Sequence, residues 1–295
     1  MKQKIPKEII ATFSIVGFDP ITGELGVAVQ SKFIGVGSVV PWAKAGVGAV
    51  ATQAFANPAY GPDGLRLMEE GKSAQETIDF LTSHDEGRRE RQVGIVDAKG
   101  NSATFTGENC MDWAGGRAGK HYAAQGNILV SEETIIAMAE TFEATQGTLA
   151  ERLLKALDAG QNAGGDSRGR QSAAIYIVKE KGGYLGANDR YIDLRVDDHP
   201  DPIQELIRIY RLHQLYFGTT KEENILSIEG EIRKEIEHYL YRLNFLKSDQ
   251  NNDDDIFYTQ LTSFLHMENF EERELERGKI DKEVLDFMRN KEVVG

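Results

Sequence analysis

The sequence predicts an α+β protein with mostly antiparallel sheets covered by helices, followed by a small all-helical unit. Short β-rich runs come in successive pairs, two helical segments follow, and β-rich runs then return. A doubly wound parallel sheet would instead alternate each strand with a helix. The composition also changes near Gly218: glycine is frequent before it and rare after it, where apolar residues take helical spacing.

Strands are expected where β-branched residues are bounded by turn residues. Glycine-containing turns at 98–101 and 181–183 mark such boundaries. The predicted strands cover residues 12–19, 24–32, 46–54, 92–98, 101–106, 171–178 and 191–196. The first two follow one another at hairpin distance, which predicts that they pair.

Three helices are expected between these strands. Ser73 and Glu76 have the spacing of a capping box, in which each side chain bonds the backbone N–H of the other residue. This motif predicts a helix that runs through Leu81. Apolar residues at helical spacing predict two further helices over 131–145 and 148–159.

One more helix is predicted to close the first domain. Asp201 is followed by Pro202, a residue favoured at the first helical position, and apolar spacing continues to Phe217. We therefore predict a first domain over 12–217 and a small helical domain over 218–295.

Composition limits the class of protein and of partner. With 295 residues, 40% of them hydrophobic, the chain has enough material for a buried core. A formal net charge of −13 argues against nucleic acid as a partner, because phosphate binding needs clustered cations. Apolar runs stay below the roughly 18 residues that a membrane span needs. The single cysteine, Cys110, fits a reducing compartment, so we expect a cytoplasmic protein.

Thr12 heads the first predicted strand and is the strongest candidate for a catalytic group. N-terminal nucleophile (Ntn) hydrolases keep a hydroxyl residue at the head of such a hairpin, where its own α-amine acts as general base because it titrates near neutral pH. Residues 1–11 would have to be removed before Thr12 had a free amine. This segment is basic but lacks the apolar core of a signal peptide, so we interpret it as a leader or propeptide.

A glycine-rich stretch at 159–172 is the second candidate. Its glycines let the backbone approach a ligand, and Asp166 with Arg168 supplies both signs of charge between a predicted helix and a predicted strand. The alternative interpretation is a helix C-cap followed by a solvated turn.

Amide side chains near strand ends form a third group of candidates. Gln53 and Asn57 lie at and after the end of the third predicted strand, and the segment Gln125-Gly-Asn127 ends another short strand. Such amides either donate to an oxyanion or a substrate, or they form local turns.

Three motifs suggest other chemistry, and each has a simpler explanation. The pattern at 46–51 matches a dinucleotide-binding motif, but the next residues continue as a strand where that motif needs a helix. The cluster at 197–201 holds metal-ligand types, but it also predicts a helix start, and no second ligand cluster accompanies it. Cys110 lacks a recognisable Cys-His motif, which favours a buried apolar role. We therefore predict neither a cofactor nor a metal site.

Several separated motifs occur in a recognisable order in the first domain. They are Thr12-Phe-Ser-Ile-Val, Val40-Pro-Trp-Ala, Gly46-Val-Gly-Ala-Val-Ala-Thr-Gln-Ala54, Arg91-Gln92, Gln125-Gly-Asn127, Ala163-Gly-Gly-Asp-Ser-Arg-Gly169 with Gln171-Ser172, and Asp193-Leu-Arg-Val-Asp-Asp-His199. In these residues the chain resembles the uncharacterised DUF1028 family. The resemblance implies an Ntn-hydrolase-like fold, a four-layer αββα sandwich, in members that usually begin at the position of Thr12 directly after the initiator methionine.

The C-terminal region carries a second resemblance. Tyr216-Phe-Gly218, the segment 228–246, and Glu268-Asn269-Phe-Glu-Glu-Arg273 with Ile280-Asp281 are similar to a domain described as peptidoglycan-binding that is often appended to DUF1028. The residues themselves predict apolar helical faces that pack together. The alternative to a glycan-binding domain is therefore a small helical bundle that docks on the first domain or on a second subunit.

Two classes of function follow. The predicted catalytic residues are Thr12, Gln53, Asn127 and Asp166, and the predicted substrate-binding residues are Asn57, Arg168 and Ser172. In the first class, an amidohydrolase acting on a small-molecule or peptide amide, Thr12 is the nucleophile and Gln53 or Asn127 is the oxyanion donor. In the second class, an inactive Ntn scaffold binds a ligand such as a peptidoglycan fragment. We expect a homo-oligomer.

Overall fold

The structure is a computed structural model that describes residues 12–247 and 253–291. The predicted leader, 1–11, and most of the acidic stretch 248–255 lie outside these described residues. The chain divides into two compact units between Arg208 and Ile209. This division falls inside a helix whose last residue is Phe217, the position at which the sequence places the domain boundary.

The first unit combines strands with helices. In chain order its strands are β1 (Thr12–Phe18), β2 (Leu25–Ser31), β3 (Pro41–Lys44), β4 (Gly48–Ala54), β5 (Arg91–Asp97), β6 (Ser102–Thr106), β7 (Gly115–Gly119), β8 (Tyr122–Asn127), β9 (Ser172–Val178) and β10 (Arg190–Val196). Its helices are α1 (Tyr60–Glu69), α2 (Ala74–Ser83), α3 (Glu133–Ala144) and α4 (Leu149–Asn162). Helix α5 (Pro202–Phe217) contains the division between the units.

Two antiparallel sheets organise this unit. The larger sheet has the order β10-β9-β2-β1-β8-β7, and the smaller has the order β3-β4-β5-β6. Neighbouring strands in both sheets run antiparallel, as the sequence predicts. Strand β1 is therefore central in the larger sheet, where Thr12 pairs with Ser31 on one side and with Asn127 on the other.

The side chains of β1 alternate between two environments. One face lies against α3 and α4, because a Cβ atom added to Gly17 would come within 3.0 Å of Leu149 and 3.3 Å of Phe142. The other face points towards the smaller sheet, as shown by the hydrogen bond from Ser14 Oγ to Gln53 Oε1 at 2.5 Å. The opposite face of the smaller sheet is covered by α1 and α2, whose Leu67 and Ile78 belong to a core with β4 and β5.

The predicted elements are confirmed, with ends that differ by up to three residues. The capping box of Ser73 and Glu76 is present at the start of α2. The segment 46–54 is a strand from Gly48, and no helix begins at its second glycine. Sequence patterns did not predict β3, β7 or α1. Strand β7 reads Gly-Gly-Arg-Ala-Gly, without a β-branched residue, and α1 contains Gly61, Pro62 and Gly64, which usually weaken a helix.

The second unit is mostly helical, as predicted. It contains α6 (Gly230–Arg242), α7 (Asp254–Met267) and α8 (Lys282–Asn290), with a short antiparallel pair of β11 (Ile225–Ser227) and β12 (Lys279–Asp281). The three helices share one core, in which Ile236, Leu240 and Phe264 are fully buried. No helix in the described ranges of the chain is both long enough and apolar enough to cross a membrane.

A buried ion pair joins elements of the second unit. Arg273 Nη1 donates to Asp281 Oδ2 at 2.6 Å, and both side chains are at most 3% exposed. The same guanidinium donates to the carbonyl oxygens of Gln214 and Leu215, in the last turn of α5, at 2.5 and 2.6 Å. The last carbonyls of a helix have no partner within it. Arg273 donates to that of Leu215, and it donates to that of Gln214 in addition to the backbone N–H of Gly218.

Candidate functional site

Thr12 is fully buried at the first position of β1. Residues that face each other across antiparallel strands project from the same side of a sheet. Thr12, Ser31 and Asn127 therefore project together towards the smaller sheet. A hydroxyl, a second hydroxyl and a carboxamide thus lie side by side at one end of three adjacent strands.

The layer between the two sheets changes from apolar to polar along the strands. At one end it is filled by aliphatic and aromatic side chains, among them Val16, Phe18, Leu25 and Val178. At the end that contains Thr12, it holds an amide cluster, which we define as Ser14, Gln53, Gln92, Gln125 and Asn127. Each of these five residues is at most 1% exposed. Buried polar groups reduce stability unless they are hydrogen-bonded, so their partners determine what the cluster can do.

Gln92 is the centre of the amide cluster. Its Nε2 donates to the backbone oxygen of Gly126 at 2.7 Å, and to Thr106 Oγ1 at 2.9 Å. Its Oε1 accepts from Gln53 Nε2 at 2.8 Å and from Asn127 Nδ2 at 2.9 Å. One side chain from the smaller sheet therefore fixes two of the predicted catalytic residues.

Gln53 connects the cluster to Thr12. Its Nε2 lies 3.3 Å from the backbone oxygen of Thr12 and 3.3 Å from that of Gln125, in addition to its bond to Gln92. Three acceptors thus share two amide protons. Gln53 has no further proton to offer, which favours a role in positioning Thr12 over the predicted role of oxyanion donor.

The glycine-rich loop brings Asp166 to the same end of the sheet. Its carboxylate accepts from the backbone N–H of Lys32, the residue after Ser31, at 3.0 Å. Its backbone also bridges to Leu129, two residues after Asn127. Asp166 is therefore held beside both strands that flank Thr12.

Arg168 neutralises the buried carboxylate of Asp166. Its Nη2 lies 2.9 Å from Asp166 Oδ2, and its Nε lies 3.2 Å from Asp166 Oδ1. Asp166 is 3% exposed, so the loop is buried at this residue, while Ser167 and Arg170 on the same loop are exposed. Gly164 and Gly165 have φ values of 127° and 64°, which most side chains do not tolerate, and this explains why both positions are glycine.

Asn57 belongs to a different cluster, at the start of α1. Its Nδ2 donates to Asp85 Oδ2 at 3.3 Å, and its Oδ1 accepts from the backbone N–H of Ala59, as in a local turn. Asp85 also accepts from Arg91 and from the Tyr60 hydroxyl. Burial alone would raise the pKa of Asp85, but these hydrogen bonds, with one from the Gly87 N–H, lower that pKa to about 2.

Ser172 organises the turn after β2. Its hydroxyl accepts from the backbone N–H of Val36 at 3.1 Å and donates to the backbone oxygen of Phe33. Both bonds are to the backbone of this chain, and the side chain is fully buried. These contacts support a structural role in place of the predicted substrate binding.

Ser14 and Gln92 complete the cluster, and sequence reasoning gave neither of them a role. The sequence does carry a signal for both: each is a polar residue within an otherwise apolar, buried strand. Such residues need polar partners, so a set of them on neighbouring strands indicates a shared network. Finding the set required the pairing of the strands.

The alternative nucleophile and the alternative metal cluster have other partners. Burial raises the pKa of Cys110 to about 11, so its thiol stays protonated near neutral pH. Asp197 accepts from Arg195, Asp198 accepts from Gln171, and His199 Nδ1 bonds the backbone N–H of Asp201. Within the described part of the chain, no group of three or more His, Cys, Asp or Glu residues could hold a metal ion.

Comparison with known proteins places both regions in families. Residues 12–206 match the family described as "Family of unknown function (DUF1028)", and residues 216–288 match the family described as "Putative peptidoglycan binding domain". No curated protein matches the sequence.

Two solved structures show different degrees of similarity to the chain. The crystal structure of protein SPO2555 from Silicibacter pomeroyi, described as a DUF1028 protein, aligns with a TM-score of 0.63 at 29% identity, over 76% of this chain and 92% of that chain. Anbu (ancestral beta-subunit) from Yersinia bercovieri aligns with a TM-score of only 0.30 at 11% identity, over 69% of this chain and 95% of that chain. The family match covers about two thirds of the sequence and agrees with the first of these structures, and the chain therefore belongs to the DUF1028 family.

Proposed function

We propose that the first unit is an Ntn-type amide hydrolase with Thr12 as its nucleophile. The observation that carries the proposal is the position of Thr12: the first residue of a central strand, buried, and facing the polar end of the layer between two sheets. The positions of the helices support the four-layer αββα sandwich of Ntn hydrolases. One sheet is covered by α1 and α2, and the other by α3 and α4.

The proposed reaction requires cleavage of the peptide bond between Ala11 and Thr12. The α-amine released has a pKa of about 7.7–8.0 in its unperturbed state, which suits a general base. It accepts the proton of Thr12 Oγ1 as that oxygen attacks the amide carbon, and then gives the proton to the leaving nitrogen. Water attacks the resulting ester in the second half of the reaction, which releases the acid and restores the hydroxyl.

The surrounding residues support this chemistry through position. Gln53 holds the backbone oxygen of Thr12, and Gln92 holds Gln53 and Asn127 in a common orientation. Asp166 and Arg168 fix the loop beside the strand ends with their charges already paired. The proposed site therefore offers a preorganised polar environment, in which a nucleophile is desolvated and held in a single geometry.

Intact mass and covalent labelling test the proposal. We expect a species that begins at Thr12, and we expect a small β-lactone to add its own mass to the peptide that contains Thr12. Thr12→Ala should remove the label, and Thr12→Ser should retain it because serine keeps both hydroxyl and amine. Thr22→Ala, at an exposed position in the β1–β2 turn, is the matched control and should label normally.

Three results would contradict the hydrolase proposal. They are protein that stays full length after native expression, labelling at a residue other than Thr12, and equal labelling of the Thr12→Ala variant. Circular dichroism of each variant would establish that a lost label is not a lost fold.

The second candidate is a binding protein whose C-terminal unit holds a cell-wall glycan or peptide. The match of residues 216–288 to the peptidoglycan-binding family favours it. A cavity of about 140 Å³ between α7 and residues 273–280 is lined by Tyr258, Thr262 and Arg277, which could stack on and donate to a ligand. The Arg277 guanidinium lies 4.4 Å from the centre of the Tyr258 ring.

Co-sedimentation with purified peptidoglycan tests this second candidate. Binding should be lost in Tyr258→Ala and kept in Tyr241→Ala, a change at an exposed tyrosine on α6. Equal sedimentation of both variants would remove the cavity as the binding site. The single cysteine supports a cytoplasmic location, where the ligand would be a soluble cell-wall fragment. A homo-oligomer stays a prediction, which light scattering can test.

A further inference from the structure

Backbone carbonyl groups fix the direction of the hydrogen bonds in the amide cluster, because a carbonyl oxygen can only accept. Gln92 Nε2 lies 2.7 Å from the backbone oxygen of Gly126 and 3.2 Å from that of Gly115. The other end of this carboxamide, Oε1, must then face Gln53 and Asn127. Each of these residues can approach it only with an N–H group, as the distances of 2.8 and 2.9 Å show.

The same constraint applies to Gln125. Its Nε2 donates to the backbone oxygen of Ser14 at 3.3 Å and to Ser14 Oγ at 2.7 Å. The hydroxyl proton of Ser14 is directed to Gln53 Oε1, which lies 2.5 Å away. These amide and hydroxyl donors therefore point at acceptors within the protein, and the orientation of every carboxamide in the cluster is determined.

Two acceptors remain after this assignment. Asn127 Oδ1 and Gln125 Oε1 are both buried and have no hydrogen-bond partner. They project from alternate positions of β8, opposite Thr12 and Ser14 respectively. An unpaired buried acceptor destabilises the folded state. Gln125 Oε1 packs against Gly94 of the smaller sheet, where an added Cβ would overlap it. Asn127 Oδ1 lies opposite Thr12 at the strand end, so it is the acceptor that can take a partner from outside the chain.

We propose that Asn127 Oδ1 accepts a hydrogen bond from an N–H group of the substrate. The site then selects amides that carry an N–H over esters and tertiary amides of the same shape. The inference rests on the proposed function for the reaction and adds the class of substrate. The predicted role of Asn127 was to donate to the oxyanion. In this inference it instead accepts a hydrogen bond that positions the scissile amide.

The ends of the strands bring this site close to the surface. Three residues after Ser31, Ile34 is 62% exposed, and three residues after Asn127, Val130 is 60% exposed. Both are aliphatic side chains. The exposed Lys32 lies between Ser31 and Ile34, so the surface next to these strand ends is both apolar and cationic.

Matched probes test the selectivity. N-methylbenzamide, methyl benzoate and N,N-dimethylbenzamide share one ring and one carbonyl, and only the first has an N–H. We would titrate each into the purified chain, with ligand-observed NMR as the readout. We expect the dissociation constant of N-methylbenzamide to be at least about tenfold lower than those of the other two, because they leave the buried acceptor unpaired.

Variants at the acceptor sharpen the test. Asn127→Leu should bring the three dissociation constants to within about twofold of one another, since it removes the oxygen and keeps the approximate shape. Asn127→Asp should keep the preference at low pH, where a neutral carboxyl donates its O–H to Gln92 Oε1 and keeps a carbonyl for the probe. Gln75→Ala, which removes an exposed amide paired with Asp79, is the control and should change nothing.

The outcomes separate this inference from the proposed function. If Asn127→Leu fails to fold, Asn127→Ala provides the same comparison, because it removes the oxygen and adds no bulk. Equal affinity for amide and ester in the unmodified chain, or binding of neither, overturns the inference. Thr12→Ala should retain the preference, because binding needs no nucleophile. A preference that persists without any labelling of Thr12 contradicts only the hydrolase proposal, and labelling without a preference contradicts only the inference.

Discussion

The two units of this protein each bury a polar cluster, and the clusters differ in charge and in completeness. The amide cluster of the first unit contains no charged residue and keeps two unpaired acceptors, Asn127 Oδ1 and Gln125 Oε1. In the second unit, Arg273 and Asp281 form an ion pair whose side chains are at most 3% exposed. Arg273 donates to Asp281 and to the carbonyl oxygens of Gln214 and Leu215.

The cluster of the second unit is complete, which is typical of a structural role. Asp281 accepts from Arg273 and Thr220 through Oδ2 and from the N–H of Glu283 through Oδ1, so it also caps α8. Such a closed set has no atom left for a ligand, and its contribution is to hold α5, β12 and α8 together. The open set in the first unit carries a cost in stability without completing its bonds, which is typical of a site.

The largest effect is expected when the closed cluster is broken. Arg273→Met should lower the free energy of unfolding of the second unit by about 3–5 kcal/mol, because it leaves the Asp281 carboxylate buried without its cation. Urea denaturation followed by circular dichroism measures this change. Arg289→Met, at a solvent-exposed ion pair with Glu235, is the control and should cost about 1 kcal/mol or less. Equal losses in the two variants would show that the buried ion pair contributes no more to stability than the exposed one.

A smaller effect of opposite sign is expected at Gln30. This residue is fully buried on the face of β2 opposite to Ser31, and neither of its amide atoms has a partner. Gln30→Met keeps the shape and removes the unpaired groups, so it should raise the free energy of unfolding by about 1–2 kcal/mol. Because Gln30 points away from Thr12, β-lactone labelling should be unchanged. Loss of labelling would place Gln30 in the functional cluster instead.

The smallest effect is expected at Asp85, which accepts from Asn57, Tyr60 and Arg91 in a charged cluster of the first unit. Its pKa is about 2 in the folded protein, below that of the unfolded chain, so the stabilisation is present above about pH 4 and is lost as the pH falls towards 2. Near the surface this amounts to about 1 kcal/mol. Asp85→Asn should therefore be less stable than the unmodified chain at pH 6, and the difference should vanish near pH 2. A constant difference would show that the carboxylate charge is irrelevant.

Much of the fold was predictable because the relevant signals are local. The capping box at Ser73 depends on residues three apart, and the antiparallel sheets follow from successive runs of β-branched residues. Helix α1 was not predictable on the same grounds. Gly61 is there because the neighbouring sheet leaves no room, since an added Cβ would overlap the Trp42 ring. At Gly64 an added Cβ would lie 3.3 Å from Val50, which is a tight contact.

The site was predictable only in part. Thr12, Gln53, Asn127 and Asp166 were identified as candidates, and the structure brings all four to one end of the layer between the sheets. Asn57 and Ser172 were candidates on similar grounds, yet their side chains bond a local turn and the chain's own backbone. Asn57 and Asn127 are both amides near a strand end, so local sequence context could not separate them, and the partners of Ser172 come from the backbone of residues 33 and 36, far away in the chain.

Local signals in the sequence specify most of the strands and helices, with β3, β7 and α1 as exceptions, and they place Thr12 at the head of the first strand. These signals depend on neighbours a few positions apart. Tertiary contacts make Gln92 orient both Gln53 and Asn127, and this leaves Asn127 Oδ1 open beside Thr12. The direction of a hydrogen bond depends on which backbone carbonyls lie opposite, and those carbonyls come from strands far apart in the chain.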